Sequence, residues 1–505
     1  MNRAVIAILF LCASGIDAQG PLVEEPRVLI VDLVPRSLSG EFQQDSEPFL
    51  AVSGADPKRM AASAFTMDPF LGPRAPIFVS ADGGRTWAMN SMLASAAVTA
   101  DVSIGFAGST LYAGILALER GEEAVHLKLL RTNDLFTREP MRELMTKKDG
   151  RPDQPFVFTH AQAPRHYLMM GANVIEPDSV RTATIFRSLE SHVEPPVQWD
   201  SVTVESRDTC RQDGPQVRAA ISNDGTTAYA AFYQWVSCSP DKSNPDFIPI
   251  KANVILLRDN LAPGVAPFSA LNDGEDHLIG VRVAKERNIS WSRTAKGRFG
   301  SERVGGDLAL TVDPRDASVA YLVWSESNDA GKVNPTLHVM KVIEGGMRFE
   351  EIELAKIPNS KNPGIAIAAD GTIGLLYQSL NPGMPGGEWS THFRWTRDDF
   401  KTSRDIVLAR FKDGAPPAQT PPYLGDYLNL VSVGNVFRGV FSSSNRPDRS
   451  RFLQGADIVF QRRADWEQNV LLANDGVTKV AESIDPFFVE IRLEPVATNV
   501  AAGQR

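Results

Sequence analysis

A short pattern recurs seven times along this chain, and it limits the fold more than any other feature. Each copy opens on an acidic or amide residue, often with a neighbouring proline, then runs through an apolar strand, a turn and a second apolar strand. The copies start at about residues 47, 101, 154, 214, 307, 362 and 426. Glu47-Pro48-Phe49-Leu50 is followed by Met60 to Phe65, and Asp101-Val102-Ser103-Ile104 by Leu111 to Leu116. Asp153-Gln154-Pro155-Phe156 leads to Tyr167 to Gly171, and Asp213-Gly214-Pro215-Gln216 to Ala228 to Trp235. The copies at Asp307, Asn362 and Asp426 continue into Val319 to Trp324, Ile373 to Tyr377 and Val436 to Phe441. A period of roughly 50 to 65 residues suits one four-stranded sheet of a radial repeat. The expected fold is all-β: a single β-propeller of four-stranded blades over residues 41–470, with seven blades favoured over six. An open ring would expose strand edges to other chains. Either Val28 to Leu33 or Ala456 to Gln461 is therefore expected to complete a blade begun at the other end.

The fourth copy is longer than the rest, and its excess over residues 238–285 reads as a loop insertion. Residues 19–40 and 471–505 read as N- and C-terminal segments outside the ring. The 38 Gly and 34 Pro are spread throughout, as many short strands and turns require. A chain that is 43% hydrophobic is not disordered, and a net charge of −9 without a basic stripe argues against nucleic-acid binding.

The first 18 residues read as a secretory signal peptide: Arg3, the apolar run Ala4 to Ala13, and a cleavage site at Ile16-Asp17-Ala18. Cys12 offers a lipoprotein reading, but Leu11 stands where a small residue is wanted. No later apolar run is long enough to span a bilayer. The expectation is a secreted or periplasmic monomer that is not an integral membrane protein. The two cysteines left after cleavage, Cys210 and Cys238, most simply form one disulfide in an oxidising compartment.

In the second half of the first copy stands Ser80-Ala81-Asp82-Gly83-Gly84-Arg85-Thr86-Trp87. Its Ser, Asp and Thr side chains can bond backbone groups within a tight turn, its glycines supply unusual backbone angles, and Trp87 anchors the hairpin. Eroded versions occupy matching places at Thr132-Asn133-Asp134 and Thr396-Arg397-Asp398-Asp399-Phe400, with a weaker one at Ser292 to Gly297. Ser80, Asp82, Gly84, Thr86 and Trp87 are assigned structural roles. The octapeptide resembles the Asp-box of the bacterial neuraminidase repeat, and the chain resembles the sialidase-like propeller superfamily over most of residues 40–470. That resemblance implies glycan-related chemistry. The family clamps its substrate with three arginines, the first in an Arg-Ile-Pro motif well before the first box. Here the nearest string, Arg74-Ala75-Pro76, lies just before Ser80. No catalytic residue is carried over, and sialidase activity itself is not expected.

The first strand of each blade lines a propeller's central channel. The polar residue that opens each copy then falls on one ring: Glu47, Asp101, Asp153, Asp213, Asp307, Asn362 and Asp426. Such a ring has three uses: a general acid/base pair, a bound Ca²⁺, or turn capping. Arg211 and Arg218 flank the fourth opening, and Arg211, Arg218 and Tyr427 are candidate substrate-binding residues. Arg394 and Arg438 are placed less well, and Tyr377 and Tyr427 are nucleophiles by type that fit strand packing at least as well. His160 and His166, candidate lyase bases, read better as core or surface. There is no His-Glu-x-x-His motif, nucleophile elbow or phosphate-cradling loop. Two functional classes follow. One is an exported glycoside hydrolase-type propeller with carboxylates in its funnel, requiring no cofactor; the other is a non-catalytic propeller that binds a protein or glycan.

Overall fold

The computed structural model describes residues 24–495 apart from 67–76, 91–98, 119–124, 138, 149–151, 176–180, 193, 195–196, 208–216, 240–246, 276–278, 290, 293–306, 330–331, 382–386 and 420–421. The described chain is β-strand and turn, with a few short 3₁₀ turns. The strands carry the expected alternation: Glu388–Thr396 buries every second side chain over most of its length. Strand Ser360–Ile367 is buried throughout, as suits a strand at the centre with neighbours on both faces.

Among the described residues, seven sheets of four or five strands follow one another along the chain, antiparallel except for one edge strand of the seventh. Their first strands are Asp45–Val52, Thr99–Ala107, Asp153–Gln162, Arg218–Ile221, Leu308–Val312, Ser360–Ile367 and Asn429–Val433. Each packs beside the first strands of the sheets before and after it, and the seventh returns to the first. This all-β propeller is consistent with seven blades. No helix of the described residues is long and apolar enough to cross a membrane.

Ring closure uses both candidate segments. Glu24–Asp32 is antiparallel to Ile484–Pro495, from Glu24 opposite Pro495 to Asp32 opposite Phe487, and Ile484–Pro495 pairs in turn with Val436–Ser444. Asp457–Phe460 adds a parallel edge strand against Leu29 to Asp32. The propeller therefore reaches beyond 41–470 in both directions. The seventh blade's third strand was hidden because the excursion 445–483 interrupts the period. Arg462, from that excursion, locks the closure. It is fully buried and donates to Asp32 Oδ2 at 3.0 Å, to the Glu41 carbonyl at 3.0 Å, and to Asp485. Burial pushes the Asp32 carboxyl up to about 7 against the pull of Arg462. Burial and the neighbouring Asp45 push Glu41 up to about 10.

Residues 238–285 are not one loop. They contain the fourth blade's third strand, Ile250–Asp259, and the start of its fourth, Val281–Asn288. The extra length is divided between the two connections. In the second, Leu261, Phe268 and Leu271 are buried, so it adds to the core. Phe247–Ile248 pairs separately with Trp291–Ser292.

The octapeptide folds as its chemistry demands. Ser80 Oγ accepts the Gly84 amide at 3.0 Å, and Asp82 Oδ1 accepts the amides of Arg85 and Thr86, both at 3.0 Å. Thr86 Oγ1 donates to Asp82 Oδ2 at 2.7 Å, and Trp87 Nε1 to the Gly84 carbonyl at 2.7 Å. Gly84 has φ +89°, and a Cβ there would collide with the Phe488 ring. The hairpin thus docks against the closing strand of the seventh blade, where Trp87 and Phe488 lie 5.5 Å apart.

Candidate functional site

Four of the seven first strands open on a shared local distortion. Pairing with the second strand skips two residues between Ser46 and Phe49, Thr99 and Val102, Asp153 and Phe156, and Lys361 and Gly364. Glu47, Gln154 and Asn362, each followed by proline, sit in these bulges with φ between +50° and +53°. Such a conformation costs roughly 1–2 kcal/mol for a residue with a side chain, and bulges re-aim side chains. The Pro-containing openings in the sequence are therefore the mark of a bulge at the channel mouth.

Blades that are far apart in sequence meet there. Tyr427 of the seventh blade is buried within electrostatic reach of Glu47, Asp101 and Asp153 from the first three blades and of Arg218 from the fourth. Arg218 is reached by Tyr427, by Asp307 of the fifth blade and by Asp101 of the second. Only the ring's centre lets these groups meet. The sixth blade joins through Asn362, whose amide N–H donates to Asp307 Oδ2 at 3.1 Å, and Lys361, whose Nζ donates to the Gly425 carbonyl at 3.2 Å. Asp307 Oδ2 also accepts Ser325 Oγ at 3.1 Å. The Asp426 amide donates to Glu47 Oε1 at 3.3 Å. Gly425 approaches so closely that a Cβ would lie 2.5 Å from the Glu47 nitrogen.

Burial sorts these groups. Glu47, Asp307, Asn362, Asp426 and Lys361 are buried, whereas Asp101 and Asp153 are half-buried and face solvent most openly. Burial, reinforced by Glu47 and Asp101, drives the Tyr427 phenol far above its ordinary range. It is held as a neutral hydrogen-bond donor rather than a phenolate. Burial lowers Arg218 to about 9, which leaves it a cation at neutral pH. Its guanidinium lies 3.4 Å from the Phe156 ring centre, a desolvated cation–π contact.

Phe49, Phe156 and Tyr427 close the channel beneath the carboxylates, with ring centres 5.2 to 6.3 Å apart. Beyond them lies a cavity of about 560 Å³ lined by the first strands of all seven blades, including Phe49, His160 and Thr311. Among the described residues, no three His, Cys, Asp or Glu side chains are placed to hold a metal ion.

The structure brings Glu47, Asp101, Asp153, Asp307 and Asp426 to this mouth with Arg218 and Tyr427; Arg211, Asp213 and Cys210 lie outside the described residues. Cys238 is disulfide-bonded. Arg438 instead pairs with Glu490 at 2.8 Å within the seventh blade, and Arg394 bonds Ser403 and the Leu354 carbonyl. Tyr377 donates to Asp405. His160 stacks on Tyr167, and His166 bonds the Tyr112 hydroxyl at 2.9 Å. Lys361 and the aromatic plug were missed. Phe49 and Phe156 stand directly after Pro48 and Pro155, a signal that could have placed them.

No family model matches the chain, and no curated protein does. Solved structures of similar shape include the GH93 α-L-arabinofuranosidase of Fusarium graminearum with arabinobiose. It is 10% identical with TM-score 0.41, over 70% of this chain and 93% of that one. The phage phi92 endosialidase is 10% identical with TM-score 0.43, over 95% and 71%. The Penicillium chrysogenum α-L-arabinanase with arabinobiose is 10% identical with TM-score 0.37, over 92% and 98%.

Proposed function

We propose that the chain is an exported propeller that processes glycans at the acidic mouth by glycoside hydrolase-type chemistry. The carrying observation is the convergence of Glu47, Asp101, Asp153 and Asp307 on Arg218 and Tyr427. Glycosidic cleavage needs one carboxyl to protonate the leaving oxygen and another to act as base or nucleophile. Asp101 and Asp153, the more exposed members, are assigned that pair. Tyr427 and Arg218 supply donors for a polyhydroxylated substrate, and the high phenol pKa argues against Tyr427 as the nucleophile. Glu47, Asp307 and Asp426 hold the mouth together through backbone and side-chain bonds. The mechanism requires no cofactor. The disulfide at Cys238 supports an oxidising compartment, in keeping with the N-terminal signal.

The aromatic cluster of Phe49, Phe156 and Tyr427 favours a second reading, a glycan- or protein-binding propeller whose mouth holds its partner without turnover. A glycan screen on the mature chain, beside Asp101→Asn and Asp153→Asn, separates the two. The hydrolytic reading expects wild-type turnover that both variants lose. Binding without turnover, with or without added Ca²⁺, would move the assignment to the binding propeller. Lower thermal stability on chelation would assign Ca²⁺ a structural place.

A further inference from the structure

The sixth blade carries a row of polar side chains that the mouth does not use. Its second, third and fourth strands are Ile373–Asn381, Glu388–Thr396 and Arg404–Lys412. Tyr377 is opposite His392 and Ser379 is opposite Ser390, so these four share one sheet face. His392 Nδ1 lies 2.8 Å from Asp405 Oδ1, and His392 Nε2 lies 3.0 Å from Ser379 Oγ. A carboxylate only accepts, so Nδ1 carries the proton of the neutral ring and Nε2 accepts from the Ser379 hydroxyl. The other oxygen of Asp405 accepts the Tyr377 hydroxyl at 2.6 Å. Tyr377 also stacks on His392, with centroids 4.8 Å apart and planes at 9°. The imidazole is thus held from its edge and its face.

The row is open to solvent. Ser379 is half-buried, and the side chains of His392 and Asp405 are 18% and 35% exposed. Polar groups on a half-buried face can satisfy one another in any order. Here the order is hydroxyl, imidazole, carboxylate, which is that of nucleophile, base and orienting acid.

We propose that Ser379, His392 and Asp405 form a second site, for carboxylic esters, on the sixth blade and independent of the acidic mouth. Ser379 Oγ adds to the ester carbonyl carbon as its proton passes to His392 Nε2. The C–O bond to the alcohol breaks, and the alcohol leaves with that proton. Water, losing a proton to His392, then attacks the acyl-serine, releases the carboxylic acid and restores the Ser379 hydroxyl. Asp405 is a positioning residue that fixes the His392 tautomer, and Tyr377 keeps Asp405 in place.

The test is covalent labelling of the full chain with a fluorophosphonate, with the adduct mapped by peptide mass and p-nitrophenyl acetate hydrolysis followed in parallel. The expected adduct is on Ser379. It is absent in Ser379→Ala and forms at least about 100-fold more slowly in His392→Gln. Asp405→Asn slows labelling without lowering the midpoint of thermal unfolding, a result that a merely structural role would not give. Asp101→Asn labels at the wild-type rate, which separates this site from the mouth. No Ser379 adduct on the folded wild-type chain would overturn the proposal. So would a labelling rate unchanged in His392→Gln or, should that variant not fold, in Asp405→Asn.

Discussion

Asp82 and Asp101 are nineteen positions apart and open opposite kinds of site. The Asp82 carboxylate is consumed by its own turn, with both oxygens taken by Ser80, Arg85 and Thr86. Asp101 lies in a bulge of a first strand and faces Arg218 and Tyr427 across the channel mouth. One aspartate shapes a hairpin at the rim of a blade, while the other meets side chains that other blades bring to the centre. The difference teaches that an acidic residue beside a turn belongs to the fold when backbone amides surround it. It belongs to the chemistry when other blades' side chains do.

The contrast is sharpened first by the carboxylates of ring closure, which belong with Asp82. Arg462→Met leaves Asp32 and Asp485 buried without their cation and is expected to destabilise the chain by about 3–5 kcal/mol. Denaturant unfolding measures this, and an unchanged midpoint would remove Arg462 from the account. At the mouth, Asp153→Asn is expected to lower turnover at least about 100-fold with the unfolding midpoint preserved. A rate loss matched by a stability loss would place Asp153 with Asp82 instead.

Asp82→Ala is expected to cost about 1–2 kcal/mol of stability and no turnover per folded molecule. Burial would raise the Asp82 carboxyl, but hydrogen bonds from Thr86, Ser80 and Arg85 outweigh it and hold it below the usual range. Its contribution is therefore present above the unfolded aspartate pKa of about 3.9 and lost as pH falls through the lower folded value. A wild-type minus Asp82→Ala stability difference that does not shrink as pH falls below about 4 would contradict this. Ring closure is tested from another side at Glu41, whose folded pKa is raised to about 10. Its stabilisation is fully present below the unfolded value and declines as pH rises toward 10. Glu41→Gln should flatten the fall in thermal midpoint between pH 6 and 9; an unchanged slope would show that Glu41 ionises freely.

Much of the fold could be read from the sequence because each blade repeats its first two strands. The openings at Glu47, Asp101, Asp153, Asp307, Asn362 and Asp426, and the strands after them, fall where the repeat put them. The hairpin at Thr396 shows why position outlasts letters. Thr396 Oγ1 accepts the Phe400 amide at 3.0 Å, and Asp398 accepts the amide and hydroxyl of Thr402. These are the bonds of Ser80 and Asp82, made although Phe400, at φ +62°, stands where the first hairpin has Gly84. Ring closure was legible only in part, since Ile484–Pro495 returns after an excursion that no local pattern announces. The mouth's acidic members were legible as the residues that open the repeats, Glu47 and Asp153 with a proline close behind. Their partners Lys361, Phe49 and Phe156 were not singled out, because burial and cross-blade distance depend on closure. The Ser379–His392–Asp405 row was hidden for the same reason: its members lie on three strands and meet only across the sheet.

The most direct test of the acidic mouth is a paired measurement on Asp101→Asn and wild type: glycan turnover and thermal midpoint on the same folded preparations. Turnover at least about 100-fold lower with the midpoint unchanged is the expected result. Equal turnover in the two proteins would contradict the assignment of chemistry to the mouth.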